Sequence, residues 1–184
     1  MFAISLGEGA QLGPLEPWQA EDYLAHIDRG REFIGQYIGL ADAAGDLASA
    51  RAFLQTYADK QAADGARIFG IRLDGTLVGG VLFPQFDAAT GCCEVGCWLE
   101  PAAVGRGLVT RAAGVLIDWA VDGRGMHRVE WHVDPGNTAS INVAKRLGMV
   151  CEGVLRQNHP HRGTRHDTEV WSVLAPEWKA HRGH

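Results

Sequence analysis

The feature that most constrains this chain is a strand, a turn with two glycines and an amphipathic segment that follow one another within residues 91–122. The first part, GCCEVGCWLEP, alternates between two faces as a strand does. The last part places apolar residues along one helical stripe, at Leu108, Ala112, Val115, Leu116 and Trp119. Between them, Gly105 and Gly107 leave the backbone bare at a helix start, where free amides favour an anion. The pattern predicts a phosphate-binding turn, to which Arg106 and Arg111 add positive charge; the alternative is a turn that only shapes the chain.

Two common phosphate-binding motifs do not match this turn. A P-loop requires a lysine directly after its second glycine, and no lysine follows Gly107. The dinucleotide fingerprint requires a third glycine where this chain has Val109 or Thr110. Neither a P-loop nor a dinucleotide-binding unit is therefore predicted.

Composition narrows the function classes further. The 184 residues are 46% hydrophobic and 21% charged, which is typical of one soluble globular domain. A net charge of −5 without a run of like charges argues against nucleic acid or an anionic membrane as partner. The four cysteines form no pair of C-x-x-C motifs, so reduced thiols and no metal site are expected. The first residues do not resemble a secretory signal and no run of 18 apolar residues occurs, which predicts a cytoplasmic protein.

The remaining chain divides into a helical front and a strand-rich part. Residues 17–65 contain two segments with apolar residues at helical spacing, the second of which closes at Gly65. Two short apolar runs flank Asp74-Gly75, a dipeptide that favours a β-hairpin. Further along, HRVEWHV predicts a strand and DPGNTASINVAKRLGM predicts a turn and a short helix. The stretches CEGVLRQNH and DTEVWSVL predict two closing strands around a polar loop.

Three stretches resemble the GNAT superfamily of N-acetyltransferases, in particular its branch with the bacterial ribosomal-protein N-terminal acetyltransferases. They are EVGCWLEPAAVGRGLVTRA, HRVEWHVDPGNTASINVAKRLGMVCEGVLR and HDTEVWSVLAPEW. The resemblance implies one α/β (α+β) domain over 1–184, with a mixed, twisted sheet of about seven strands flanked by helices. It also implies an acceptor-side helical front at 17–65 and an acetyl-CoA-binding core at 66–175. The implied reaction moves an acetyl group from acetyl-CoA directly to a primary amine.

The resemblance also implies where acetyl-CoA binds. The family's turn pattern, Gln/Arg-x-x-Gly-x-Gly/Ala, falls on the stretch from Val104 to Val109, and both of these end positions depart from it. The backbone amides for the pyrophosphate remain. A second motif, Asn137-x-x-Ser140 followed by Leu-Gly, matches without departure, and Asn137 in it contacts the pantetheine arm; its alternative role is to cap a helix. The implied cofactor-binding residues are Cys97, Trp98, Leu99, Val104, Gly105, Arg106, Gly107, Leu108, Val109, Thr110, Asn137 and Asn142.

Three catalytic roles follow from the same resemblance. A backbone amide at Cys97, Trp98 or Leu99 would stabilise the oxyanion, where this strand splays from the next one. Ser140 would donate a hydrogen bond to the departing sulfur. The general base is Glu94 through a water molecule, or one of two histidines, His159 and His161, that follow the motif EGVLRQ. A cross-strand pair for Glu94 and exposed loop positions for the histidines are the alternatives. A metal site at these histidines and a nucleophilic Cys97 are not expected.

The acceptor is a protein or peptide N-terminal amine, as in the ribosomal branch, or a small amine. The resemblance is compatible with a homodimer. Two other readings remain open at this point: an inactive module that only binds CoA, motivated by Val104 and Val109, and an interaction domain that binds no CoA.

Overall fold

The computed structural model of the chain describes residues 3–183, which form one mixed sheet with helices on both faces. The strands are β1 (Ile4–Gly7), β2 (Ala10–Pro14), β3 (Arg67–Leu73), β4 (Thr76–Asp87), β5 (Cys92–Leu99), β6 (Arg128–Val133), β7 (Val150–His161) and β8 (Thr164–Leu174). The α-helices are α1 (Ala20–Ile34), α2 (Leu47–Ala62), α3 (Leu108–Asp118), α4 (Thr138–Arg146) and α5 (Ala175–Arg182). The described residues contain no helix with the length and apolar character that a membrane span requires.

The α/β fold class is confirmed, but the sheet has eight strands rather than about seven. The additional strands form the hairpin β1–β2, which the sequence reading missed. β1 is only four residues long, and the turn between Gly7 and Gly9 carries Glu8 at a φ of 51°, so little periodic signal is left. The signal that remains is the buried Leu6 and Leu12 on the two strands.

The polar loop expected around residues 157–167 is also corrected. β7 and β8 continue through it as a hairpin that pairs His159 with His166 and His161 with Thr164. Only Arg162 and Gly163 form the turn, both with positive φ, as tight two-residue hairpin turns require. The many polar residues are compatible with strands because β7 is exposed over nearly its whole length. The helix α5 was not predicted either; it begins at Ala175, and Pro176 lies in its first turn.

The side chains of β5 alternate between the two faces of the sheet, as predicted. Each face packs into its own hydrophobic core. Val95 packs into the core that lies against α3, together with Val129 and Trp131 of β6. Trp98 packs into the second core, with Tyr23 of α1 and Leu54 of α2. The sheet therefore separates a side covered by α3, α4 and α5 from a side covered by α1 and α2.

β5 and β6 form the one parallel pair among the described strands, and they pair only briefly. The register joins Cys92 to Arg128, Cys93 to Val129 and Glu94 to Glu130. No pairing continues beyond Glu94, so the two strands diverge towards their carboxyl ends. α3 forms the crossover between them, as a parallel pair requires. The divergence opens the sheet beside the first turn of α3.

Candidate active site

A cavity of about 1180 Å³ lies where β5 and β6 diverge. Its walls come from β5, the turn before α3, the end of β6 and the first turns of α4, and its roof comes from the loop after α1 and the β7–β8 hairpin. Among the residues proposed from sequence, those that line it are Glu94, Cys97, Trp98, Leu99, Val104, Gly105, Gly107, Leu108, Val109, Thr110, Asn137, Ser140, Asn142 and His159. Arg106 and His161 are not part of the lining.

The turn before α3 has the geometry of an anion site. Gly105 and Gly107 adopt φ values of 86° and 68°, which favour glycine over other residues. Gly107 is the N-cap of α3 and no side chain caps this helix start. The first intrahelical hydrogen bond runs from the Arg111 amide to the Gly107 carbonyl, so the amides of 108–110 have no helical partner. These amides border the cavity, where a bound anion would accept hydrogen bonds from them.

Arg111 adds a guanidinium with unused hydrogen-bond donors at this turn. Its Nε and Nη2 atoms are buried and make no hydrogen bond within the described residues. The carboxylate of Glu8 lies 3.8 Å from Nη2, which is too far for a hydrogen bond. Buried donors without hydrogen-bond partners are costly, so an anion bound at the turn would stabilise these two nitrogen atoms, although the side chain as a whole is 39% exposed.

The start of α4 orients two further polar groups. The Asn137 side chain accepts a hydrogen bond from the Ser140 amide at 3.1 Å, so the helix-capping role is confirmed. The buried Trp131 donates its indole N–H to the Ser140 hydroxyl at 2.9 Å. Because Ser140 accepts this hydrogen bond, its own hydroxyl proton remains available for a ligand in the cavity.

Glu94 lies on the other side of the sheet from α3 and Ser140. It is beside His132, a histidine that the sequence patterns did not predict as a site residue. Glu94 Oε2 lies 3.6 Å from His132 Nδ1, and His132 Nε2 lies 2.9 Å from Glu130 Oε2. Burial raises the pKa of Glu94; the His132 charge opposes this and Glu130 adds to it. In the sequence, Glu130 and His132 alternate onto one face of β6. The parallel register of β5 and β6 then places Glu94 beside Glu130, with His132 two residues further along β6.

The histidines of the β7–β8 hairpin differ in position. His159 lines the cavity, and burial together with the nearby His161 and His166 lowers its pKa. His161 is buried and its Nε2 donates to the Gly35 carbonyl at 3.0 Å, which ties the hairpin to the loop after α1. His166 pairs with Asp134 at 3.0 Å. No cluster of three or more metal-ligating side chains occurs between residues 3 and 183.

A buried network holds the end of β5 in place. The Trp98 indole donates to His26 Nε2 at 3.0 Å, and His26 Nδ1 donates to Glu100 Oε2 at 3.1 Å. Burial lowers the pKa of His26, so the ring remains neutral and keeps this tautomer. Burial also raises the pKa of the Cys97 thiol to about 12, which keeps it protonated and makes it a poor nucleophile.

Similarity to known proteins identifies the class of this enzyme. The mixed sheet opens beside a glycine turn, and the partly buried Glu94 carboxylate borders the same cavity. Residues 12–150 match the family model described as an acetyltransferase (GNAT) domain. The chain therefore belongs to the GNAT acetyltransferase family, and the resemblance noted in its sequence is confirmed. Its enzyme class is that of an N-acetyltransferase.

Three relatives illustrate the similarity. The "Probable N-acetyltransferase YjcK" of Bacillus subtilis is 30% identical, with 93% of this chain and 97% of the relative covered. The "Putative ribosomal N-acetyltransferase YdaF" of the same organism is 27% identical over 99% of this chain and all of the relative. A solved structure of RimL, a ribosomal L7/L12 alpha-N-protein acetyltransferase in complex with coenzyme A, superimposes with a TM-score of 0.88, covering 94% and 97% of the two chains. At 16% identity it supports the fold alone.

Proposed function

We propose that this enzyme acetylates the N-terminal amine of a protein or peptide, with acetyl-CoA bound between the glycine turn and the opening of β5 and β6. The observation that carries the proposal is that the opening, the unpartnered amides and Arg111, with its two buried and unbonded nitrogen atoms, border one cavity. The same cavity reaches Glu94 on the other side of the sheet. One pocket thus offers an anion site and a proton acceptor.

The cofactor position follows from the polar groups along this cavity. The amides of residues 105–110 and the Arg111 guanidinium would hold the pyrophosphate, with Arg106 at the rim. Val104 and Val109 depart from the family pattern only in their side chains, so the amide donors are retained. Asn137 and Asn142 border the path of the pantetheine arm, which would place the thioester near Ser140 and the end of β5.

The residues divide the chemistry between them. Acetyl-CoA, when bound, supplies the thioester whose acetyl group is transferred. Glu94 accepts a proton from the incoming ammonium group through a water molecule, so that the neutral amine can attack the carbonyl carbon. A backbone amide among Cys97, Trp98 and Leu99 donates to the developing oxyanion. As the carbon–sulfur bond breaks, Ser140 donates a hydrogen bond to sulfur, and the second amine proton leaves with the thiol. His159 is the alternative base.

The acceptor end of the cavity supports an amine substrate. Glu94, Asp134 and Asp167 contribute carboxylates there, which would attract a cationic amine. Phe33, Tyr37 and Leu40 contribute an apolar roof for the residue that carries it. The names of YdaF and RimL refer to ribosomal proteins, which favours a protein N-terminus over a small amine. We place the enzyme in the cytoplasm as a homodimer, with no nucleic acid or membrane among its partners; the exposed Val150, Val154 and Leu155 on β7 are compatible with a second copy.

A titration and an activity assay test the proposal together. Calorimetry should detect binding of acetyl-CoA, and thiol release should follow when peptides with an N-terminal serine or alanine are added. The same peptides with a blocked N-terminus are the control and should release no thiol. Binding without turnover on any amine would instead support the inactive CoA-binding module, and no binding would overturn the assignment of the turn.

Replacing Arg111 by alanine should weaken acetyl-CoA binding roughly 10-fold or more, because charge-assisted hydrogen bonds to the pyrophosphate are lost. Calorimetry measures the change. Arg51→Ala, on the exposed face of α2, is the matched control and should leave the affinity unchanged. S-acetylpantetheine lacks the pyrophosphate and should bind more weakly than acetyl-CoA. Its affinity should be the same for Arg111→Ala and for Arg51→Ala. An equal loss for this compound would contradict the position given to Arg111.

Replacing Ser140 by alanine should lower kcat about 10-fold with little change in acetyl-CoA affinity, because one hydrogen bond to the departing sulfur is lost. It should also cost about 1–2 kcal/mol of stability, since the Trp131 indole loses its acceptor. Full turnover in Ser140→Ala would exclude the role at sulfur.

A further inference from the structure

The environment of His132 points to a function in proton transfer. Its side chain lines the cavity from β6, on the acceptor side of the sheet, and is about one-quarter exposed. One ring nitrogen faces Glu94 at 3.6 Å and the other faces Glu130 at 2.9 Å. The imidazole therefore lies between two carboxylates, one of which borders the cavity.

Glu130 determines which nitrogen carries the proton in the neutral ring. A carboxylate can only accept, so the His132 Nε2–H donates to Glu130 Oε2. The Nδ1 lone pair is then directed towards Glu94. Glu130 is itself held by Arg128, whose Nε donates to its other oxygen at 2.7 Å, and Arg128 also binds Glu152. This arrangement holds Glu130 in place.

The other neighbours of His132 leave these two carboxylates as its main charged partners. On β8, the residue opposite His132 is the uncharged Val170. Tyr57 of α2 lies near Glu94, and burial raises its pKa to about 12, so it remains neutral. Asp134, two positions further along the chain, is engaged by His166 at 3.0 Å.

We propose that His132 is the second member of the proton-accepting unit: Glu94 removes the proton from the ammonium group and His132 Nδ1 takes it up. The inference rests on the proposed acetyl transfer. The proton passes from the amine nitrogen to the Glu94 carboxylate, whose side chain then rotates to close the 3.6 Å gap to Nδ1, and the proton ends on Nδ1. The products are a neutral amine, a Glu94 carboxylate and an imidazolium held between Glu94 and Glu130. After turnover the imidazolium releases this proton to solvent.

A histidine in this position suits the substrate better than a carboxylate alone. An α-amino group has an ordinary pKa of about 7.7–8.0, an imidazole about 6.5 and a glutamate about 4.3. Proton transfer to an ordinary imidazole is therefore roughly two pK units less unfavourable than transfer to an ordinary carboxylate, and the raised pKa of the buried Glu94 narrows this difference. A base whose pKa lies near the working pH is the more effective one.

Replacing His132 by glutamine should lower kcat/KM roughly 10-fold or more and move the acid limb of its pH profile to lower pH, where Glu94 alone titrates. Acetyl-CoA affinity should remain within about twofold, because His132 lies away from the pyrophosphate turn. His127→Gln is the matched control, at an exposed position just before β6, and should keep the wild-type profile. An unchanged acid limb and plateau in His132→Gln would overturn the proposal.

A second measurement does not depend on activity. NMR titration of the imidazole resonances should show the Nε2–H tautomer for neutral His132. Its pKa should fall in Glu94→Gln and in Glu130→Gln, because each variant removes a charge beside the imidazolium. A His132 pKa that does not respond to Glu94→Gln would show that the two groups share no proton. If the wild type acetylates no amine, the proposed function fails, whereas this titration still decides whether the pair is coupled.

Discussion

Replacing Glu94 by glutamine is expected to lower kcat/KM for acetyl transfer roughly 10²–10⁴-fold, while acetyl-CoA still binds. Glutamine has nearly the same shape but cannot accept the proton of the ammonium group. It also removes one of the two carboxylates beside His132. Steady-state kinetics against a peptide acceptor measure the loss, and Glu21→Gln, on the exposed first turn of α1, is the control. A loss no larger than that of Glu21→Gln would assign the proton to another group, with His159 the first to examine.

The same variant should be more stable than the wild type at neutral pH. Burial raises the pKa of Glu94 in the native state, so ionised Glu94 opposes folding. The wild type has its full stability below the ordinary carboxylate pKa and loses part of it as the pH rises through the raised value. Glutamine lacks this dependence, so the Tm difference should be small near pH 4 and should grow towards pH 7. A lower Tm for the variant at neutral pH would show that the attraction to His132 outweighs the burial of Glu94.

Replacing Gly80 by alanine is expected to destabilise the protein by about 3 kcal/mol or more. Gly80 pairs with Trp98 across β4 and β5, and a Cβ there would overlap the Trp98 indole and the Phe69 carbonyl oxygen. Neither can move freely, because the indole is hydrogen-bonded to His26 and the carbonyl belongs to β3. Chemical denaturation measures the loss. Activity should also fall at temperatures where the variant is still folded, because the end of β5 borders the cavity.

Gly114→Ala is the matched control for this change, with the opposite expected sign. Gly114 lies within α3, and a Cβ there would meet no atom within 4 Å. Alanine should therefore stabilise the helix by roughly 0.5–1 kcal/mol, because glycine loses more backbone freedom on folding. If the two variants were destabilised equally, backbone strain rather than the packing against Trp98 would have to explain the Gly80 result.

Short-range patterns predicted a large part of this fold. The alternation of β5 correctly assigned Val95 and Trp98 to opposite faces, and the helical stripe from Leu108 correctly located α3. The motif from Asn137 to Ser140 correctly placed the start of α4. In each of these stretches, residues close together in sequence carry the periodicity or the cap, so no knowledge of distant neighbours was needed.

The missed parts depend on neighbours that are distant in sequence or on strands without periodicity. Trp98 and His26 are hydrogen-bonded although they lie 72 residues apart. His132 lies near Glu94 only because of the register between β5 and β6. β7 is exposed along nearly its whole length, so it has no hydrophobic alternation. Its polar residues therefore resembled a loop in the sequence. Such features follow from pairing between elements, which local patterns do not encode.

The brief pairing of β5 and β6 divides the sheet into two antiparallel parts. β1 to β5 pair in chain order as an antiparallel meander, and β6, β7 and β8 form a second antiparallel unit. Three residue pairs and the α3 crossover join them, and one hydrophobic core packs across the joint. The joint is also where the cavity lies. The same shortage of hydrogen bonds between β5 and β6 thus leaves the space in which the chemistry is proposed to take place.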